Sequence, residues 1–258
     1  MSIKDTAEAV GAWVDGWAVS RGAAEPVPRP WGFTIDVGLP EHVMRHVLTT
    51  ADEATVRKIT ESATTPGVWL KAFVSPETLT PWLAPGWSLA RGPSFLMSAP
   101  LGASHAEVPD GYRLRTWSRA GVIRTLVRTA DGAFAARGQI AVTGSTAVVD
   151  QVETDPAHQR RGLGRLVMTT LANAAAGQAV TAGVLGATLA GRALYETVGW
   201  RVLAPLTSAV RGPLVARTVR SADDHVIGSV GDLETSAGSR TRGAHGASSS
   251  TSPNSWST

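Results

Sequence analysis

Eleven consecutive residues, Thr154-Asp155-Pro156-Ala157-His158-Gln159-Arg160-Arg161-Gly162-Leu163-Gly164, restrict the fold of this chain more than any other feature. A run of strand-type residues ends at Thr154. Leu163, Leu166, Val167, Thr170, Leu171 and Ala174 then recur at the spacing of one helix face. Between them lies a short loop with glycines. Glycine lets backbone come close to an anion, and the first N–H groups of a helix have no partner inside it, so they face whatever sits there. Arg160, Arg161 and Arg165 add positive charge at the same point. The segment reads as a cradle for a diphosphate. It is not a Walker A loop, which needs Gly-Lys-Ser/Thr. Nor is it a dinucleotide fingerprint, because Val167 stands where the third glycine belongs.

The flanking pattern is α/β. Upstream, Tyr112 to Trp117 reads as a strand, 119–128 as a helix, and Ala133 to Val142 with Thr146 to Thr154 as a hairpin turning at Gly144. Downstream, Gly177 suits a helix end, Ala179 to Leu185 a strand, Ala190 to Val198 a helix closed by Gly199, and Trp200 to Leu203 a strand. The 26 residues between Arg165 and Arg192 carry no charge, long enough to span a bilayer. They are mostly Ala, Gly and Thr, interrupted by Asn173 and Gln178, so a small-residue helix and a buried strand are expected instead.

The first half is read less firmly from its pattern. Val10, Trp13, Val14 and Trp17 predict a helix over 7–20, ended by Gly22, and Pro26, Pro28 and Pro30 a stiff link. Phe33, Ile35 and Val37 alternate as a strand. Helices are expected over 41–48, from an Asp52 cap to Ser62, and from Pro76 to Leu83 behind Ser75. Trp69 to Val74 and Leu89 to Met97 read as strands. Pro100 to Pro109 is a linker. From Ser236 onward Ser, Gly, Ala, Thr and Arg dominate, the composition of a disordered tail.

The chain has no cysteine, which excludes a thiol nucleophile, a disulfide framework and zinc-ribbon or iron–sulfur chemistry, and no metal site is expected. Residues 1–100 hold 8 basic and 10 acidic side chains, residues 111–168 hold 9 and 4, so an anionic ligand belongs with the middle of the chain. Basic and aromatic residues do not interleave there as on a nucleic-acid surface. Six of the nine tryptophans fall in the first 90 residues and are expected mostly in the core. The start shows no signal peptide, and a cytoplasmic location is expected.

The Gln159-x-x-Gly162-x-Gly164 pattern between strand and helix resembles motif A of the GNAT superfamily of N-acyltransferases. Gly191-Arg192-Ala193-Leu194-Tyr195-Glu196-Thr197-Val198-Gly199-Trp200 resembles the family's later motif B, with the required helix and strand between them. The likeness runs from about Asp110 to Val210. It implies a mixed α/β sheet of GNAT type in the second half. The first half would be a degenerate GNAT-like copy without a cradle. The expected organisation is an N-terminal helix and linker (1–26), an α/β domain (27–105), a catalytic domain (106–220) and a tail (221–258).

The resemblance also implies roles. Val152, Glu153 and Thr154 would line the pantetheine arm of acetyl-CoA or another acyl-CoA. Gln159, Arg160, Arg161, Gly162, Leu163, Gly164 and Arg165 would take the pyrophosphate. Tyr195 would be the acid that protonates the departing thiolate. Thr188 departs from the family, many members having Asn there. For a base, Asp150 is the nearest carboxylate on the relevant strand face, with Glu153 on the other face unless a bulge intervenes; a water chain or no base is the alternative. His158, on the loop, is expected to be solvated. The implied activity is acetyl transfer to a primary amine of a small molecule, by a monomer or homodimer without membrane or nucleic-acid partner. A protein amine as acceptor, or a non-catalytic module using RNA or aminoacyl-tRNA, remains the alternative.

Overall fold

An aspartate opens the first helix. Asp5 accepts a hydrogen bond from the Glu8 N–H at 3.0 Å, capping α1 (Thr6–Arg21), and Gly22 closes it in the left-handed conformation. The computed structural model describes residue 3 and residues 5–212. The expected tail beyond 221 lies outside them. In chain order there follow β1 (Val27–Arg29), β2 (Gly32–Leu39), β3 (His42–Leu48), α2 (Glu53–Ser62), β4 (Val68–Ala72), α3 (Pro76–Leu79) with a 3-10 turn at Thr80–Trp82, β5 (Trp87–Leu89) and β6 (Ser94–Pro100). The second half runs β7 (Tyr112–Arg119), β8 (Val122–Thr129), β9 (Phe134–Thr143), β10 (Thr146–Thr154), α4 (Leu163–Ala176), β11 (Ala182–Thr188), α5 (Leu189–Thr197) and β12 (Arg201–Arg211).

Two expected helices are strands. Residues 41–48 form β3, because a two-residue turn at Pro40–Glu41 folds the chain back on β2 and sets Val43, Arg45 and Val47 on one face. Residues 119–128 fall in β7 and β8. Ala120 and Gly121 both take positive φ (51° and 75°), the tight turn that matches strand twist, and it starts a hairpin where a helix was expected. The proline-rich link contains the short strand β1, and the expected Leu89–Met97 strand is split at Ala90–Pro93 into β5 and β6. Strand β12 is longer than expected.

The strands form one sheet in the order β1-β2-β3-β4-β12-β6-β11-β10-β9-β8-β7, with β5 beside β12. Read outward from the β12–β6 pair, the two sides match. β3 and β4 are parallel and joined through α2; β10 and β11 are parallel and joined through α4. A helix follows β4 and another follows β11. Then comes Gly-Trp on each side, Gly86-Trp87 and Gly199-Trp200, with φ of +87° and +89°. The chain is thus an internal repeat in which each half sends its last strand into the other: β6 pairs with β11 along seven residues, and β12 pairs with β4. Strands cross in both directions over the coil 101–109, where the boundary at 105 was expected.

Two glycines let helices approach the second-half sheet from opposite faces. A Cβ at Gly16 would overlap the Val148 side chain, so α1 lies directly on β10. A Cβ at Gly138 would stand 2.6 Å from Val167 Cγ1, so α4 lies directly on β9. Ile140, Leu163, Val167 and Leu171 fill the core under α4; Val10, Trp13, Val14 and Trp17 of α1 pack with Ile35, Val47, Val148 and Leu206 on the other face. No helix among the described residues is long and apolar enough to cross a membrane.

Candidate functional site

The sheet opens in its second half. β10 and β11 pair only through Thr146–Val148 and Ala182–Val184. Beyond that point β10 continues to Thr154 and β11 to Thr188 without pairing, and β11 keeps its other partner, β6. A β-bulge between Asp150 and Glu153, with Gln151 at φ +53°, turns β10 at the place where the strands part. The unpaired flank of β10 at Val152 to Thr154 therefore presents backbone groups to a cleft, at the C-terminal ends of two parallel strands where α/β sheets take ligands.

The glycine-bearing loop stands over this opening. Asp155 Oδ1 accepts from the Ala157 N–H at 2.8 Å and starts a 3-10 turn. Arg160 (φ +61°) and Gly162 (φ +79°) then reverse the chain into α4. No side chain caps α4, so its first N–H groups, Leu163 to Arg165, are directed outward. A Cβ on Gly162 would meet nothing within 4 Å: the space before the helix is open. Gly164 serves differently, because its Cβ would stand 2.7 Å from Leu194 Cδ2; it seats α5 against α4. Leu163 is buried in the core. Gln159, Arg160 and Arg161 are exposed. Arg165 donates to the Thr197 carbonyl at 2.9 Å and closes the end of α5. Glu153 is exposed and paired with Arg137 across the hairpin at 2.8 Å. His158, expected to be solvated, is half-buried and bonded through Nδ1 to the Tyr112 hydroxyl at 3.0 Å, which also accepts from Arg161.

Tyr195 lies on α5 and is 8% exposed, beside Gly191 and Trp200. Thr188, where the family often has Asn, caps α5 by accepting from the Gly191 N–H at 3.1 Å. No group among the described residues hydrogen-bonds the Tyr195 hydroxyl. Burial, with the nearby Asp150 charge, pushes its pKa up to about 12, so the phenol keeps its proton at neutral pH.

Asp150 sits at the mouth of the opening, but its oxygens are taken. Arg21 holds both in a bidentate pair, the outer contact at 2.9 Å, Ser20 Oγ donates at 2.9 Å and the Gln151 N–H at 2.9 Å. Gln139 Nε2 in turn donates to the Ser20 carbonyl and hydroxyl. This network bolts the C-terminus of α1 to β9 and β10. The sequence reading missed Ser20, Arg21 and Gln139, which lie about 120–130 residues from the groups they bind; only the charge of Arg21 at a helix end was visible.

The basic residues of the middle segment divide between the loop and the outer strands. Arg113, Arg115 and Arg128, with Trp117, line a groove of about 420 Å³ on β7–β8, two and three strands from β10. Among the described residues no group of three or more His, Asp or Glu side chains is placed to share a metal ion.

Known proteins bear on this geometry. Residues 96–200 match the model of the acetyltransferase (GNAT) family. A GCN5-related N-acetyltransferase from Kribbella flavida resembles the chain with a TM-score of 0.57 at 18% identity, covering 80% of this chain and 95% of that one. Another, from Sphaerobacter thermophilus, has a TM-score of 0.52 at 11% identity, covering 83% and 96%. At these identities the likeness is one of fold. No curated protein matches in sequence.

Proposed function

We propose, on the premise that this chain belongs to the GNAT acetyltransferase family through residues 96–200, that it is an acyl-CoA-dependent N-acyltransferase. The favoured reaction moves an acetyl group from acetyl-CoA to a primary amine of a small molecule. The observation that carries the reading is the opening between β10 and β11 beneath the uncapped start of α4. The open space where a Gly162 Cβ would stand, flanked by Arg160 and Arg161, supports a diphosphate as the occupant.

In this reading the N–H groups of Arg160 to Arg165 hold the diphosphate, with the positive end of α4 adding attraction. The flank of β10 at Val152 to Thr154 binds the amide-bearing arm as an added strand. Acetyl-CoA supplies an activated thioester. Tyr195, held protonated by burial, donates its proton to the sulfur as the carbon–sulfur bond breaks. Leu163 and Gly164 support the cradle through packing, and Arg165 through α5. Asp150 is assigned a positioning role, fixing Arg21 and the end of α1, since its oxygens are already occupied. The amine nitrogen has by then bonded to the thioester carbonyl carbon; it passes its proton to water, and the Tyr195 phenolate takes one back from water.

Thermal unfolding with acetyl-CoA, with CoA and with tRNA tests this. A ligand at 100 times its dissociation constant stabilises by about 2.7 kcal/mol. A rise in melting temperature with acetyl-CoA and CoA is expected. A response to tRNA alone would replace the reading with that of an RNA-using module.

A further inference from the structure

The first half of the repeat buries an arginine and a lysine against one face of its sheet. Val47 on β3 and Phe73 beyond β4 pack with Trp13 and Trp17 of α1. By strand alternation Arg45 and Lys71 face the same space. Arg45 is 2% exposed and Lys71 6%. The Arg45 guanidinium carbon lies 3.6 Å from the Trp17 ring centroid, and Arg45 Nε donates to His42 at 3.2 Å. Lys71 Nζ donates to Ser208 Oγ at 2.7 Å and stands 4.8 Å from the Trp69 ring centroid.

The negative charge that acts on Arg45 is that of Asp150, and Arg21 already holds it bidentately. Burial, next to Arg21, lowers the Arg45 pKa to about 9 and that of Lys71 well below its usual value; the guanidinium still carries its charge at neutral pH. The two terminal nitrogens of Arg45 have no acceptor among the described residues. They are not sealed from solvent, because the sealed orphan atoms of the described residues are Thr170 Oγ1 and Arg211 Nε. A buried cation whose nearest carboxylate is already held by another arginine is costly, and an apolar side chain of the same size would suit the strand better. The arrangement is a cationic lining walled by the rings of Trp17 and Trp69. Asp150 acts electrostatically on Tyr195 as well as on Arg45, so Arg45 and the reacting end of the cleft adjoin the same carboxylate.

We propose that Arg45 and Lys71, walled by Trp17 and Trp69, bind an oxyanion, carboxylate or phosphate, carried by the acceptor amine, so that the degenerate half selects the substrate. This rests on the acyltransferase reading for the word acceptor, though not for the anion site itself.

The test is the melting temperature of the full chain, at constant ionic strength and without acyl donor, against ethylamine, β-alanine and phosphoethanolamine. These share an amine and differ in carrying no anion, a carboxylate or a phosphate. A saturable rise with β-alanine or with phosphoethanolamine, absent with ethylamine, is expected and identifies the group. Arg45→Met and Lys71→Met should each weaken that response about tenfold or more, the loss of one charge-assisted hydrogen bond. Free of ligand, Arg45→Met should melt no lower than the parent. The proposal is overturned if neither anionic amine stabilises the parent beyond ethylamine, if both variants keep the response, or if Arg45→Met unfolds, which would make the charge structural. Acetyl-CoA titration of the same samples keeps the two ideas apart: binding of acetyl-CoA without an anion response overturns this proposal alone, and an anion response without acetyl-CoA binding overturns the transferase reading.

Discussion

Tyr195 shows how a single residue is assigned. Its ring packs beside Trp200 while its hydroxyl has no partner among the described residues. Tyr195→Phe should keep the packing, so melting temperature and acetyl-CoA affinity should stay near those of the parent, while turnover falls 10²–10⁴-fold, about 3–5 kcal/mol at the transition state. Turnover close to that of the parent would leave Tyr195 a packing residue. Asp150 is expected to behave differently. Asp150→Asn strands the Arg21 guanidinium against a mostly buried partner and should cost about 3 kcal/mol in urea unfolding; unchanged stability with lost turnover would restore it as a base. His42 and His46 make stability depend on pH. Burial with the neighbouring cations lowers His42 to about 3, and burial with Arg29 lowers His46 to about 4. Both fall below the unfolded value, so the unfolded chain takes up protons the native state refuses. Their stabilisation is complete above about pH 6.5 and drains away as pH falls toward 4, by about 1–2 kcal/mol between pH 7 and 5 once the solvent reaching both rings is allowed for. Urea midpoints across that range should fall, and His42→Gln should flatten the slope; a rise toward pH 5 would contradict the assignment. The places of Tyr195 on α5 and of Gly162 at the start of α4 were legible in the sequence because their surroundings are local. The partners of Asp150 were not, because α1 meets β10 only through the tertiary fold.

At the scale of elements, the glycines set the distances between layers. Gly16→Ala raises helix propensity by about 1 kcal/mol. Its methyl would still collide with Val148, and overpacking of that kind costs about 1–3 kcal/mol. Chemical denaturation should therefore show Gly16→Ala destabilised; a stabilised variant would mean that α1 can lift from β10 freely. Gly164 belongs with Gly16: the sequence motif places it in the cradle, whereas its contact is the Leu194 side chain of α5. Helices α1 and α2 were readable from capping residues and periodicity, and the uncapped α4 from its periodicity and flanking glycines. Strands β3 and β8 were not, because a seven- or eight-residue stretch of mixed apolar and polar residues fits helix and strand alike, and the tight turns at Pro40–Glu41 and Ala120–Gly121 that decide the matter carry little signal of their own.

The whole molecule is held together by exchange of strands. The palindromic order of the sheet was invisible in the sequence, where Gly-Trp recurs at Gly16, Gly86 and Gly199 without marking the halves, because pairing of β6 with β11 and β12 with β4 depends on contacts between halves. A fragment beginning in the coil 101–109 leaves β11 with an unpaired edge and β12 without β4. Expressed alone it should be unfolded or aggregated, and co-expression with the first half should recover a folded complex; a monomeric, cooperatively melting fragment would show that the exchange is dispensable. The exchange leaves one cradle per chain, on the second half. The central claim is that this cradle holds the acyl donor, and calorimetric titration of the full chain with acetyl-CoA, beside Gly162→Val, tests it most directly. The valine meets no protein atom but stands in the space before α4, at the cost of about 1–2 kcal/mol for a left-handed backbone. The account predicts one site per chain in the parent and affinity weaker by about a hundredfold or more in a folded variant, the loss of several charge-assisted hydrogen bonds. Equal affinity in the two proteins, or no binding to the parent, would contradict it.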